Sequence, residues 1–178
     1  MATTACTTHA SLLEPLRRRA AETPARTVFT FLDGTGAEAE ALTWGELDER
    51  ARAVAAALQE LGAAGGPVLL LQPPGLEFVT SFLGCLYAGA IAVPAYPPGR
   101  NRPVARLRSI AGDCGARVVL APASLAAGAV DLAARAPELA GAAWIATDEL
   151  DPALAAAWRE HEPAAAEPAF LQYTSGST

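Results

Sequence analysis

Pro67-Val68-Leu69-Leu70-Leu71 is short and continuously apolar, as expected of a strand buried on both faces. Gln72-Pro73-Pro74-Gly75 breaks it, and a helix from about Leu76 to Ala88 can follow before Gly89 stops it. The same pattern then recurs in type. Ile91-Ala92-Val93 reads as a strand, a proline-rich loop follows, and Pro103 to Cys114 reads as a helix with Val104, Leu107, Ile110 and Ala111 on one side. Gly115 stops that helix. Val118-Val119-Leu120-Ala121 is the next strand, Ser124 to Arg135 the next helix, Trp144-Ile145-Ala146 a short strand and Pro152 to Trp158 a short helix. Strands alternating with helices indicate an α/β fold, a layered and mostly parallel sheet with flanking helices and right-handed crossovers.

Upstream of this alternation, Ser11-Leu12-Leu13-Glu14 has the spacing of a capping box, and the helix it opens should end before Pro24. Thr27 to Leu32 is rich in β-branched and aromatic residues, and Asp33-Gly34-Thr35-Gly36 supplies a turn before an extended run through Leu42, which together predict a hairpin. Thr43-Trp44-Gly45-Glu46 repeats the capping-box spacing at the head of an alanine-rich helix that Gly62 can end. Trp44 and Leu47 read as core residues. Ala153 to Pro168, heavy in Ala, Glu and Pro, reads as an exposed connection. Ala169 to Tyr173 then reads as a strand delivering Thr174-Ser175-Gly176-Ser177-Thr178.

Charge and cysteine usage remove several function classes. Thirteen basic residues against nineteen acidic give a net charge of −6, which disfavours a surface built to neutralise nucleic-acid phosphates or anionic lipid. Arg17-Arg18-Arg19 reads as a solvated surface. Cys6, Cys85 and Cys114 are odd in number and far apart, and His9 and His161 stand alone, so neither a disulfide framework nor a metal cluster is indicated. That usage fits a reducing, cytoplasmic setting. No secretory signal opens the chain. The uncharged stretch from Phe78 to Tyr96 is interrupted by Gly84, Gly89 and Pro94, so it reads as a helix, a stop and a buried strand, with no membrane span.

A strand that delivers Gly, Ser and Thr is one way to hold polyphosphate, because glycine lets backbone amides approach the anion and hydroxyls add donors without bulk. A flexible linker has the same composition. The loop is not a Walker motif, since no Gly-Lys pair occurs in the chain, and no GxGxxG lies between a strand and a helix. Asp113, near the end of its helix, reads as a solvated carboxylate. Val93-Pro94-Ala95-Tyr96-Pro97-Pro98 leaves the carboxyl edge of a strand, where open α/β sheets tend to place ligands. Tyr96 reads either as part of that site or as a buried anchor of a rigid turn.

Phe170-Leu171-Gln172-Tyr173-Thr174-Ser175-Gly176-Ser177-Thr178 is similar to the phosphate-loop signature of the adenylate-forming superfamily, which includes acyl-CoA synthetases, fatty acyl-AMP ligases and amino-acid adenylation domains. The family loop continues into a further glycine and a Pro-Lys-Gly segment. Leu42 to Leu47, Phe82 to Pro94 and Arg106 to Leu120 resemble other segments of the same family in the same order. Val93 to Pro98 looks like the fatty acyl-AMP ligase branch.

The resemblance implies that residues 1–178 form the N-terminal part of an AMP-binding domain, incomplete and ending within the phosphate loop. It implies ATP as cosubstrate with Mg²⁺ sharing its charge, and Thr174, Ser175, Gly176, Ser177 and Thr178 as the ATP-binding residues. It assigns no catalytic residue and no metal ligand to this chain. The implied substrate is a fatty acid, activated as an acyl-adenylate and passed to an acyl carrier protein. An acyl-CoA synthetase or amino-acid-activating domain stays open as a second reading, and a non-catalytic partner-binding module as a third.

Overall fold

The structure is a computed structural model that describes residues 11–99, 103–164 and 166–174. A helix, α1 (Leu13–Glu22), leads into two antiparallel strands, β1 (Thr27–Leu32) and β2 (Glu38–Thr43). The turn between them is organised by one carboxylate. Asp33 Oδ1 accepts from the Thr35 hydroxyl at 2.6 Å and from the amides of Thr35 and Ala37 at 2.8 and 3.1 Å. These bonds hold the Asp33 carboxyl below its usual range, the Thr35 hydroxyl contributing most. Helix α2 (Trp44–Glu60) follows on a complete capping box, in which the Thr43 hydroxyl accepts from the Glu46 amide while the Glu46 carboxylate accepts from the Thr43 amide.

The expected box at the start of α1 does not form. Leu12 already has helical backbone angles, and the Ser11 hydroxyl accepts from the Leu13 amide at 3.2 Å. Ser11 therefore sits one residue ahead of the capping position, while Leu13 is buried.

Strands β3 (Pro67–Leu71), β4 (Ile91–Ala95), β5 (Val118–Ala121) and β6 (Ala143–Ala146) make a parallel sheet in the order β4-β3-β5-β6. Helix α3 (Leu76–Ala88) joins β3 to β4, and α4 (Val104–Cys114) joins β4 back across β3 to β5. The two crossovers run in opposite directions along the sheet. Right-handed connections must then lie on opposite faces, and they do. Val68, Leu70, Ala92, Val118 and Leu120 pack with α2 and α3, whereas Leu69, Leu71, Val93, Val119 and Ala121 pack with α4 and the helix after β5. The apolar run Pro67 to Leu71 is thus split by the two-residue strand period between two cores.

The approach of α2 to α3 depends on Gly84. A Cβ there would lie 2.5 Å from Val54 Cγ1, closer than carbon atoms pack. Gly89 ends α3 at φ +71°, and the His161 imidazole fills the space beside it.

Three further expectations are corrected. The helix expected over Ser124 to Arg135 is two pieces, α5 (Ala123–Ala126) and α6 (Ala129–Arg135), separated at Gly128. Glycine costs about 1 kcal/mol in a helix interior, and Asp148 Oδ1 draws the start to Ala123 by accepting its amide at 2.7 Å.

The short helix expected over Pro152 to Trp158 forms, so the Ala153 to Pro168 stretch is an exposed connection only beyond it. Pro152–Ala157 forms a 3₁₀ turn with Ala155 buried. Trp158 then donates its indole N–H to the Tyr87 carbonyl at 3.0 Å, and its ring lies 5.2 Å beneath the Arg17 guanidinium. Arg17 also pairs with Glu160 at the surface, while Arg18 and Arg19 are exposed as expected.

The expected strand Ala169 to Tyr173 is only one bridge long. The Ala92 amide donates to the Ala169 carbonyl at 3.1 Å, and the Leu171 amide donates to the Ala92 carbonyl at 2.9 Å. The next residue of β4 facing that edge is Pro94. It has no N–H, so the ladder stops.

Candidate functional site

The carboxyl ends of β3 and β4 open into a cleft of about 580 Å³ between α3, α4 and the segment 170–173. Phe78 and Phe82 of α3 and Phe170 form its apolar wall, with the Phe82 and Phe170 rings edge to face at 5.6 Å. Pro94, Ala95 and Tyr96 form the lip. Tyr96 is 61% exposed, so it is not a buried anchor of the proline-rich turn. Its ring belongs to the mouth of the cleft.

At the floor, Gln72 leaves the end of β3 and is almost fully buried. Its Nε2 donates to Ser81 Oγ and to Thr147 Oγ1, both at 2.8 Å, which ties α3 to the turn after β6. Gln72 Oε1 has no hydrogen-bond partner among the described residues.

The far side is built by Tyr173. Its ring packs on the core beneath α4, its hydroxyl donates to Asp113 Oδ2, and its carbonyl accepts from Arg106 Nη2 at 3.1 Å. The Asp113 contact raises the Tyr173 phenol to about 12, because a carboxylate acceptor favours the protonated phenol. Thr174 follows and is exposed. Of the five residues expected to bind ATP, Thr174 is described, while Ser175, Gly176, Ser177 and Thr178 lie outside the described residues, as do Cys6 and His9.

Among the described residues no group of three or more His, Cys, Asp or Glu is placed to hold a metal ion. These residues do not fit a Mg²⁺ site by themselves. No helix among them is long and apolar enough to cross a membrane. Cys85 is wholly buried, and the apolar surroundings push its thiol far up, which removes it as a nucleophile.

Residues 16–178 match the family model described as "AMP-binding enzyme". The chain belongs to this family. Among curated AMP-binding relatives, it is 37% identical over 172 residues to the medium-chain-fatty-acid–[acyl-carrier-protein] ligase JamA of Moorena producens, covering 94% of this chain and 29% of that protein. It is 37% identical over 138 residues to the long-chain-fatty-acid–AMP ligase FadD32 of Mycolicibacterium smegmatis, covering 77% of this chain and 22% of that one. The fold is similar to the crystal structure of the fatty acyl-adenylate ligase from L. pneumophila in complex with acyl adenylate and pyrophosphate. There the TM-score is 0.84 and identity 37%, over 96% of this chain and 29% of the other. The chain therefore spans under a third of the length of these AMP-binding relatives.

In this AMP-binding chain the sequence reading expected an extended segment through Tyr173, which pairs with β4 at one bridge only, and it missed what holds Tyr173. Neither Arg106 nor Asp113 was singled out as a contact to Tyr173. The only signal available was their spacing of seven, which puts both on one face of α4.

Proposed function

We propose that this chain is the N-terminal part of an ATP-dependent fatty acyl-AMP ligase. In the intact enzyme a fatty-acid carboxylate oxygen attacks the α-phosphorus of ATP. A new P–O bond forms, the bond to the pyrophosphate oxygen breaks, and acyl-adenylate and pyrophosphate result. The mixed anhydride leaves the acyl carbon electrophilic, and the thiol of an acyl carrier protein takes the acyl group with release of AMP. A cytoplasmic protein without a nucleic-acid partner is part of the same reading.

The observation that carries the proposal is that Tyr173, the residue directly before Thr174, lines the same cleft as Phe78, Phe82 and Phe170. An apolar cleft whose lining residue Tyr173 leads directly into a hydroxyl-rich sequence suits chemistry that joins a polyphosphate to an apolar acid. Support for the fatty-acid branch comes from the names of the relatives and from the Val93 to Pro98 lip, with Tyr96 at its mouth. The residues assigned to the ATP phosphates are Thr174, Ser175, Ser177 and Thr178 as hydroxyl donors, with Gly176 allowing close backbone approach.

The test is ATP–pyrophosphate exchange by the full-length protein with medium- and long-chain acids, followed by mass spectrometry of the products. Acyl-AMP is expected, transferable to a carrier-protein thiol and poorly to CoA. Efficient acyl-CoA formation would overturn the branch assignment. Replacing both Thr174 and Ser177 by alanine removes two donors to an anion, each worth roughly 1.5–3 kcal/mol, so exchange should fall at least about tenfold. An unimpaired double variant would remove the role given to the loop.

A further inference from the structure

We infer that α4 is the positioning element for the chain's entry at Tyr173 into the hydroxyl-rich sequence that begins at Thr174, with Asp113 and Arg106 holding Tyr173 at its hydroxyl and at its carbonyl. The geometry is two-ended. Arg106 and Asp113 are seven residues apart, almost two full helical turns, so they project from one face of α4 about 10 Å apart along its axis. Tyr173 lies along that face. Its carbonyl accepts from Arg106 at 3.1 Å, its hydroxyl donates to Asp113, and its ring packs on the core that α4 covers.

Three residues earlier the chain is fixed on the other side by the two backbone bonds of Ala92. The segment entering the loop is thus held by β4 at Phe170 and by α4 at Tyr173. No residue between Tyr173 and Thr174 can absorb an error in direction. The Tyr173 carbonyl belongs to the peptide plane that carries the Thr174 amide, so the Arg106 bond sets the orientation of the first peptide of the loop. Asp113 acts through Tyr173 and has no direct role on a ligand.

The consequence for ATP rests on the phosphate-binding reading above, and the test separates the two. In the full-length protein, Asp113→Asn, Tyr173→Phe and their double variant are compared with Arg108→Ala. Arg108 lies on the same helix but pairs with Glu138 at 2.9 Å, away from Tyr173. The first readout is millisecond hydrogen–deuterium exchange of a peptide covering 169–178. Both single variants should speed exchange there several-fold, the double variant should be no faster than the singles, and Arg108→Ala should leave it unchanged. Unchanged exchange in the single variants, or fully additive effects in the double, would overturn the inference whatever the enzyme's activity.

The second readout is the KM for ATP against the KM for the acid. A rise of roughly fivefold to tenfold for ATP alone, the scale of one ordinary hydrogen bond, is expected. An unchanged KM for ATP beside faster loop exchange would show that the positioning does not serve the nucleotide. Absence of ATP–pyrophosphate exchange in the unsubstituted protein would count against the proposed function, and the deuterium result would still decide the role of α4.

Discussion

Tyr173 stays protonated well beyond the usual phenol range because its hydroxyl donates a hydrogen bond to the Asp113 carboxylate, and that has a thermodynamic sign. A phenol whose folded pKa is raised stabilises the fold fully below its unfolded pKa of 10.0, and the contribution is lost as pH rises toward about 12. Replacing Asp113 by Asn should lower the titration of Tyr173 toward 10 and shrink that alkaline loss. Carbon-13 NMR of ring-labelled tyrosine reads it directly, and a Tyr173 titration unmoved by the substitution would contradict the bond. Asp113 was legible from the sequence only as a helix-end carboxylate, since its partner lies sixty positions away and one sequence carries no trace of such pairing. Gly84 was legible as an interruption of an apolar stretch, but its purpose was not. A methyl there meets Val54 at 2.5 Å and the Ala51 carbonyl at 3.1 Å, so Gly84→Ala should destabilise by about 1–3 kcal/mol. Combining it with Val54→Ala should recover part of that loss. A denaturant series on the four proteins of this cycle measures it, and strict additivity would show that the two positions do not compete for the same space.

At the level of elements, the two capping-box signatures divide cleanly. Thr43 and Glu46 exchange bonds at 3.3 and 2.8 Å, and Thr43→Ala should cost about 1 kcal/mol. Ser11 makes its bond from outside the capping position, so Ser11→Ala should cost clearly less, and a larger loss at Ser11 in the same urea titration would reverse this ranking. The reason is contextual. A capping signature gives the spacing of donors and acceptors, but the packing of the first buried residue decides where the helix begins. The strands show the opposite balance. Continuous apolar runs at Pro67 to Leu71 and Val118 to Ala121 leave no arrangement except burial on both faces, so their place in a parallel sheet was readable. The segment after Pro168 was misread as a full strand because its own residues favour extension. What stops it is Pro94 on the neighbouring strand, a tertiary effect invisible in the local sequence. Trp158 was likewise lost inside an Ala, Glu and Pro composition, although it anchors the return across α2 and α3.

For the molecule as a whole, the sheet has a core on each face, and among the described residues the β4 edge is paired where Ala92 bonds to Ala169 and Leu171. Beside that edge Phe170 is 48% exposed, Leu171 37% and Tyr96 61%. Phe29 and Phe31 on β1 are also open, at 39% and 36%. Large side chains of this kind on one margin of a sheet are what a longer chain would cover, and the relatives here are more than three times as long as the matched region. Residues 1–178 produced alone should therefore fold around the two cores yet bind a hydrophobic dye through the β4 margin, and associate as concentration rises. Phe170→Ser with Leu171→Ser should cut dye fluorescence substantially while leaving the far-ultraviolet circular dichroism in place, because neither side chain is buried. A dye signal insensitive to that pair, or a sharp cooperative melt of a clean monomer that binds no dye, would show that the margin is already satisfied. The same isolated chain should give no ATP–pyrophosphate exchange above a protein-free blank with any fatty acid. Its described residues supply a cleft, one loop hydroxyl and no metal cluster, which is too little to neutralise a triphosphate in the transition state. Measurable exchange by residues 1–178 would place the chemistry within them and require a catalytic group that neither the loop nor the cleft provides.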